Sequence, residues 1–337
     1  MGAGIFGLSC AWAMARRGAR VLVIDPGGIG AGSSGGLVGA LAPHVPENWN
    51  PKKAFQLDSL LMAEDWWNRV ESIAGSTVGY ARTGRLQPLP DEAAVRRARD
   101  RAAEAATLWQ GRALWEVIPD PGDGWMPPGP AGLCLRDTLS ARIAPRLALA
   151  ALARAIEASG GGIVRDGAAR GPVLWATGAA GLAHLSAELG KEVGTGVKGQ
   201  AALLRHDVRQ APQLFIDGLH IVPHGDGTVA IGSTSERVYS SGNAPDAQID
   251  ALIEKARGLV PALADAPVED RWAGVRPRAA TRSPMLGAWP GRSDHFIANG
   301  GFKIGFGIAP KVAETMADLI LDGRDGIPDG FRVEDNL

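Results

Sequence analysis

The sequence predicts a mixed α/β chain in which parallel strand and helix units at both ends bracket a β-rich, antiparallel middle. Three observations predict it. A glycine triplet opens the chain and runs into a small-residue helix and then a strand, VLVID, at residues 21–25. Residues 197–232 alternate between apolar and polar positions across turn signals, as in KGQAALLRH, LFIDGLHIVPHGDG and TVAIG; that alternation is the signature of antiparallel strands. The chain closes with a short strand at 296–298, the Gly-rich turn NGGFKIGFG and an apolar helix at 309–321.

Bulk composition agrees with this division. At 337 residues, with 45% apolar and 21% charged positions, the chain is too long for one simple core and suits two joined domains. A formal charge of −1 exerts no long-range pull toward nucleic acid or anionic lipid, so a small-molecule partner is expected, with no nucleic acid. Cys10 and Cys134 are the only cysteines, too few for a disulfide framework or a Cys-rich metal site. No secretory signal pattern and no apolar run near about 20 residues is present, which predicts a cytoplasmic protein without an integral membrane segment.

The elements follow in order. A helix is expected over 8–17, then the strand at 21–25, then the Gly/Ser-rich loop GGIGAGSSGGLVGALAPH at 27–44. Residues 57–73 have helical spacing and carry Trp66 and Trp67; 80–89 read as a strand hairpin, and 91–108 as an Arg- and Ala-rich amphipathic helix with a solvated charged face. Pro and Gly crowd 119–132, a loop, and a second strong helix spans 143–159 before three glycines. A short strand, PVLWATG, lies at 172–178, 246–259 is helical, and 272–278 is extended. The resulting arrangement puts residues 1–75, 132–195 and 289–337 in a discontinuous Rossmann-like domain, and 76–131 and 196–288 in an inserted antiparallel-sheet, substrate-binding domain.

Gly2, Gly4 and Gly7 fit G-x-G-x-x-G, with Asp25 following 18 residues after Gly7 at the end of a strand. In such a unit the first glycine permits a tight turn and the second lets backbone approach a pyrophosphate. The third lets the helix pack closely, so that its N-terminal N–H groups face the phosphates. Asp25 suits the ribose hydroxyls of an adenosine and disfavours a 2′-phosphate. Only Met1 precedes the fingerprint, where the central strand of the unit belongs. Either the start lies too far downstream or the chain is truncated, and we read the former. A damaged sheet centre with weakened cofactor binding is therefore expected, each unpaired backbone group there costing about 1–3 kcal/mol.

Taken together, GAGIFG with Asp25, GAGSSGG, WATG, KGQ, HIVPHGDGTVAIGSTSE, WAGVRPR and GGFKIGFGIAP occur in an order that resembles the D-amino-acid-oxidase superfamily of flavoproteins. Within it, the chain is similar to the glycine oxidase, sarcosine oxidase and D-amino-acid dehydrogenase group. The resemblance implies FAD, held non-covalently, and oxidation of the C–N bond of a small amine or amino acid by hydride transfer to the flavin. Oxygen or a quinone would then take the electrons. It also implies a cofactor site built from Gly2, Gly4, Ile5, Phe6, Gly7, Asp25, Ser33, Ser34, Gly35, Ala176, Thr177, Gly178, Gly300, Gly301, Phe302, Lys303, Ile304 and Gly305. Arg276 resembles the arginine that clamps a substrate carboxylate, with Arg278 as its substitute. Lys303 stands where relatives carry an arginine, as a second carboxylate contact or a counter-charge for the flavin. His220 replaces an expected tyrosine and is a third substrate contact or a structural residue; His44 and His224 are weaker candidates. No protein side chain is expected to act as a catalytic acid, base or nucleophile, and no metal is expected.

Two rival readings stay open at this level. The run GALAPHVPENWNPKKAF and the ATR at 280–282 resemble the FAD domain of the bacterial bifunctional enzyme that modifies wobble uridine in tRNA. The missing first strand suits a non-catalytic family member.

Overall fold

The structure is a computed structural model describing residues 1–337. In chain order it comprises α1 (Ile5–Ala15), β1 (Leu22–Ile24), β2 (Ala40–Leu41), α2 (Pro51–Ala74), β3 (Arg85–Pro88) and α3 (Glu92–Leu108). Next come β4 (Trp115–Pro119), β5 (Leu133–Asp137), β6 (Ala141–Arg142), α4 (Pro145–Ala158), β7 (Gly162–Val164), β8 (Val173–Trp175) and α5 (Gly178–Leu189). The second half holds β9 (Gly194–Arg205), β10 (Gln213–Ile216), β11 (Leu219–Pro223), β12 (Thr228–Gly232) and α6 (Ala247–Leu259). Last are β13 (Val268–Ala279), β14 (Met285–Ala288), β15 (His295–Asn299) and α7 (Gly305–Asp322).

An eight-stranded sheet, ordered β13-β9-β12-β11-β10-β3-β5-β4, forms one side of the molecule. All its pairings are antiparallel except β10 with β3. Apolar residues of this sheet, among them Leu204, Leu214, Ile221 and Ile231, pack with Ile249 and Ile253 of α6 into their own core. The largest core lies on the other side, where α1, α2, α4 and α7 pack on one another around Trp12, Trp67, Leu152 and Met316. β5 pairs with β3 and β4, while β14 pairs with β15, so residues 133–137 lie in the eight-stranded sheet and 285–288 outside it.

On the nucleotide side the parallel sheet is in two pieces. β1 pairs only with β7, and β14, β15 and β8 form a separate three-stranded sheet. Residues 1 and 2 span the interval: Gly2 N–H donates to the Ile24 carbonyl at 2.9 Å, and Ala176 N–H donates to the Met1 carbonyl at 2.8 Å. Two residues thus occupy the place where a full central strand was expected, and their few hydrogen bonds join the halves.

Local signals account for most elements. α2 starts at Pro51 because Asn50 caps it, accepting from Lys53 N–H at 3.1 Å, and stops at Gly75 in the left-handed region. Asp91 caps α3 and Asp246 caps α6 in the same way. Three expectations need correction. Residues 80–89 form no hairpin; only 85–88 is a strand, and its partners β10 and β5 come from distant sequence. α7 begins at Gly305 rather than near residue 309, its first turn lying against Ile5 and Leu60. α5, whose segment GAAGLAHLSAEL has apolar residues at helical spacing, escaped the reading of the sequence altogether.

Candidate flavin and substrate site

A cavity of about 930 Å³ runs between the two layers, from the opening glycines to the face of the eight-stranded sheet. Gly2, Gly4, Ile5, Phe6 and Asp25 line one end with Ser33 and Ser34, and Ala176, Thr177 and Gly178 form a side wall. Gly301, Phe302, Lys303 and Gly305 also line it, with Gly301 beside Phe6 and Gly305 beside Ile5, and His220 and Arg276 face in from the sheet. The first and last Gly-rich turns, some 300 residues apart in sequence, therefore meet on one cavity.

The fingerprint glycines are dictated by backbone contact. Gly2 has φ +99°, and a Cβ there would stand 2.4 Å from the Ala176 carbonyl oxygen. A Cβ on Gly7 would stand 1.9 Å from the Gly2 carbonyl oxygen, so only glycine lets α1 pack against the opening residues. Gly7, Gly35, Gly300 and Ile304 do not reach the cavity wall; they shape the turns whose neighbours do.

Charge is segregated along the cavity. At one end the Asp25 carboxylate accepts from Ala3 N–H at 2.7 Å and Gly27 N–H at 2.9 Å, which aims it at the end of β1. Nearby, Ser34 Oγ accepts from Ile5 N–H at 3.0 Å, capping α1 from another loop and leaving its own O–H free to donate. The opposite end is basic. Burial lowers the Arg276 guanidinium to about 10, against the raising influence of Glu236. Burial and then the Arg276 charge lower the Lys303 ammonium. His220 falls to about 4 through burial and then the charges of Arg85 and Lys303, so it is a neutral imidazole at neutral pH. Its ring lies 4.8 Å from that of Phe215, centroid to centroid.

The helix ends explain what the cavity favours. α2, α3 and α6, which do not line it, carry their own side-chain caps. α1, α5 and α7 begin on the cavity with Gly4, Thr177 and Ile304 at the cap position and no side-chain cap from those residues. Three helix N-termini thus present N–H groups and partial positive charge to whatever the cavity holds, as phosphates and an electron-rich ring edge require. Together with Asp25 at the ribose end and a volume in the range of cofactor pockets, the residues present fit a dinucleotide.

The remaining candidates have structural contacts. His44 bonds Gln56 through Nδ1 at 2.5 Å, and His224 bonds the Leu37 carbonyl through Nε2 at 3.0 Å. Arg278 turns away and lies over the Phe302 ring at 5.8 Å. Both cysteines are buried away from the cavity, and burial raises Cys10 to about 12. The sequence reading missed Val38, Phe215, Trp272 and Asn299 on the wall. Trp272 stood in the quoted WAGVRPR segment, whose alternation predicts that residues 272, 274 and 276 share a face.

Fold and cavity define a candidate dinucleotide-binding protein in which a β/α layer faces an eight-stranded sheet across the cavity. Residues 1–319 match the family of FAD dependent oxidoreductases, DAO, and the chain belongs to it. The cofactor of that family is FAD. Among relatives, the glycine oxidase of Bacillus licheniformis is 24% identical over 95% of this chain and 92% of its own length. The bifunctional protein ThiO/ThiG of Trichormus variabilis is 27% identical over 96% of this chain; the chain spans about half, 52%, of that relative. The folds of glycine oxidase from Geobacillus kaustophilus (TM-score 0.83, 21% identity, 98% and 96% of the two chains) and iminodiacetate oxidase from Chelativorans sp. BNC1 (0.85, 22%, 98% and 97%) superpose on it.

Proposed function

We propose that the chain oxidises the C–N bond of a small amine or amino acid, with Arg276 as the anchor for a substrate carboxylate. The observation that carries this reading is the basic end of the cavity. Arg276 is buried, faces the cavity and forms no ion pair within 4 Å, its one protein acceptor being the Thr234 carbonyl at 3.2 Å. A planar guanidinium with spare N–H groups in a desolvated site matches a carboxylate bidentately. Lys303, likewise without a carboxylate partner, supplies a second positive charge beside it. His220, kept neutral, offers a hydrogen bond without adding to the charge.

FAD, held by the opening glycines, Asp25 and the 300–305 turn, would supply the two-electron acceptor for hydride leaving the substrate α-carbon. The chain's own residues do the rest. Arg276 orients the substrate so that its α-carbon faces the α7 end of the cavity. The two cations at that end favour the neutral, unprotonated amine over the ammonium, and only that form has a lone pair to drive C–H cleavage. Burial between the two layers excludes bulk water until product forms. The imine that leaves is hydrolysed to a carbonyl compound and a free amine or ammonia, and oxygen or a quinone takes the electrons. In this reading the expected division, residues 1–75, 132–195 and 289–337 for the cofactor and 76–131 and 196–288 for the substrate, is adjusted so that 133–137 goes with the substrate part and 285–288 with the cofactor part, as their strand pairings place them. No helix is long and apolar enough to cross a membrane; action in the cytoplasm is part of the same proposal.

Anaerobic bleaching of the flavin absorbance against a panel of amines and amino acids tests the proposal. Bleaching by at least one amino acid, with stoichiometric carbonyl product, is the expected result. An oxidised spectrum unchanged by every amine would remove it.

A further inference from the structure

The side of Arg276 that faces away from the cavity is built with unusual care. β9 passes directly beneath it, and a Cβ placed on Gly199 would lie 1.6 Å from the Arg276 Nη1 and 2.1 Å from its Cζ. The guanidinium therefore rests in the space that a side chain at position 199 would fill. Its acceptor, the Thr234 carbonyl, belongs to the segment 234–236, which runs antiparallel alongside β9 without being part of β12. Thr234 N–H donates to the Gln200 carbonyl at 3.2 Å, and Glu236 and Lys198 exchange backbone hydrogen bonds of 2.9 Å in both directions.

Side chains tie the same segment down. Glu236 Oε1 accepts from Gln200 Nε2 at 3.0 Å and from the Thr234 hydroxyl. Glu236 Oε2 has no hydrogen-bond partner and lies 3.7 Å from the Lys198 Nζ. Lys198, 1% exposed, is anchored in turn on Asp246 Oδ2 at 2.5 Å, at the cap of α6. Lys198, Gln200 and Glu236 are all buried, and none of them lines the cavity. A buried cluster of ionised groups costs desolvation energy and is retained where it determines geometry.

We infer that Glu236, held by Lys198 and Gln200, is a positioning residue: it fixes the 234–236 segment so that the Thr234 carbonyl and the open Gly199 floor present the Arg276 fork to the cavity. The inference rests on the reading of Arg276 as a carboxylate anchor and adds the apparatus that aims it. Glu236 touches neither substrate nor cofactor. Its carboxylate also acts on the guanidinium as a nearby negative charge.

The test measures binding rather than turnover. The FAD-loaded protein is titrated calorimetrically with propionate and with propionamide, which differ in the carboxylate alone. The wild type is expected to prefer propionate. The atoms a Cβ at 199 meets first belong to the movable end of Arg276, so Gly199→Ala is expected to fold, displace the guanidinium and cut the propionate preference roughly tenfold, the loss of about one charge-assisted hydrogen bond. Glu236→Ala should do the same, whereas Glu236→Gln, which keeps the Oε1 acceptor, should retain most of the preference. Far-ultraviolet circular dichroism and the flavin spectrum show whether each variant is folded and loaded. If Gly199→Ala and Glu236→Ala both bind propionate like the wild type, or if Glu236→Gln is as impaired as Glu236→Ala, the inference is overturned. Absence of any propionate preference in the wild type overturns it too, while the proposed reaction is judged separately by flavin bleaching.

Discussion

Arg276, Lys303 and His220 gather at one end of the cavity, yet each answers to a different experiment. Replacing Arg276 by alanine removes charge-assisted hydrogen bonds of about 1.5–3 kcal/mol each. We expect KM for amino acids to rise roughly ten- to a hundredfold, with uncharged amines almost unaffected, measured by steady-state kinetics on matched acid and amide substrates. His220 makes a pH prediction. Its folded value, about 4, lies below the ordinary histidine value near 6.5, so between the two the unfolded chain binds more protons. Its contribution to stability is therefore complete above pH about 6.5 and is lost as pH falls toward 4, on the order of 3 kcal/mol in all. His220→Gln should flatten the fall in denaturation midpoint over that window, and an unchanged acid profile would show that other groups set it. Residue type foretold these roles only in part: a buried cation in a WAGVRPR segment suggests an anchor, but Arg276 and Arg278 are alike in sequence. Pleating puts both on one face of β13, yet only Arg276 lines the cavity, while Arg278 lies over the Phe302 ring.

Among the elements, α1 and its entry turn carry the sharpest sequence signal because their requirements are backbone sterics. The carbonyl of Gly2 abuts Gly7, so Gly7→Ala forces α1 away from residues 1–2. We expect a loss of at least about 2 kcal/mol of stability together with loss of bound flavin, seen as a colourless purified protein. Asn50→Ala supplies the contrast. It removes the cap of α2 on the far side of the molecule and should cost about 1 kcal/mol by denaturant titration without changing flavin content. The elements that went unread, α5 and the short strands β2, β4, β5 and β7, are two to twelve residues long and depend on partners far along the chain. Short segments of this kind gain their stability from tertiary packing rather than from propensity.

At the scale of the whole molecule, the two layers differ in how firmly they are closed. The eight-stranded sheet is continuous, whereas the parallel sheet is bridged by residues 1 and 2 alone. Native-state hydrogen exchange should therefore show faster exchange at Val23 and Ile163 than at Ala202 and Ile231, whose strands have partners on both sides. FAD touches both halves of the nucleotide layer in the proposed site. Its addition should slow exchange in β1 and raise the melting temperature, by about 2.7 kcal/mol of added stability at a hundredfold excess over Kd.

The chain's own order of residues determined the dinucleotide entry, the antiparallel middle and the family, because glycine sterics and strand alternation act over a few neighbouring positions. Only the tertiary structure decided which cations share a cavity, that the Thr234 carbonyl holds Arg276, and that Lys198 reaches Asp246 across 48 positions. Those contacts join a strand to a helix cap or to a loop segment far along the chain, and the direction a side chain finally takes depends on the packing that brings them together.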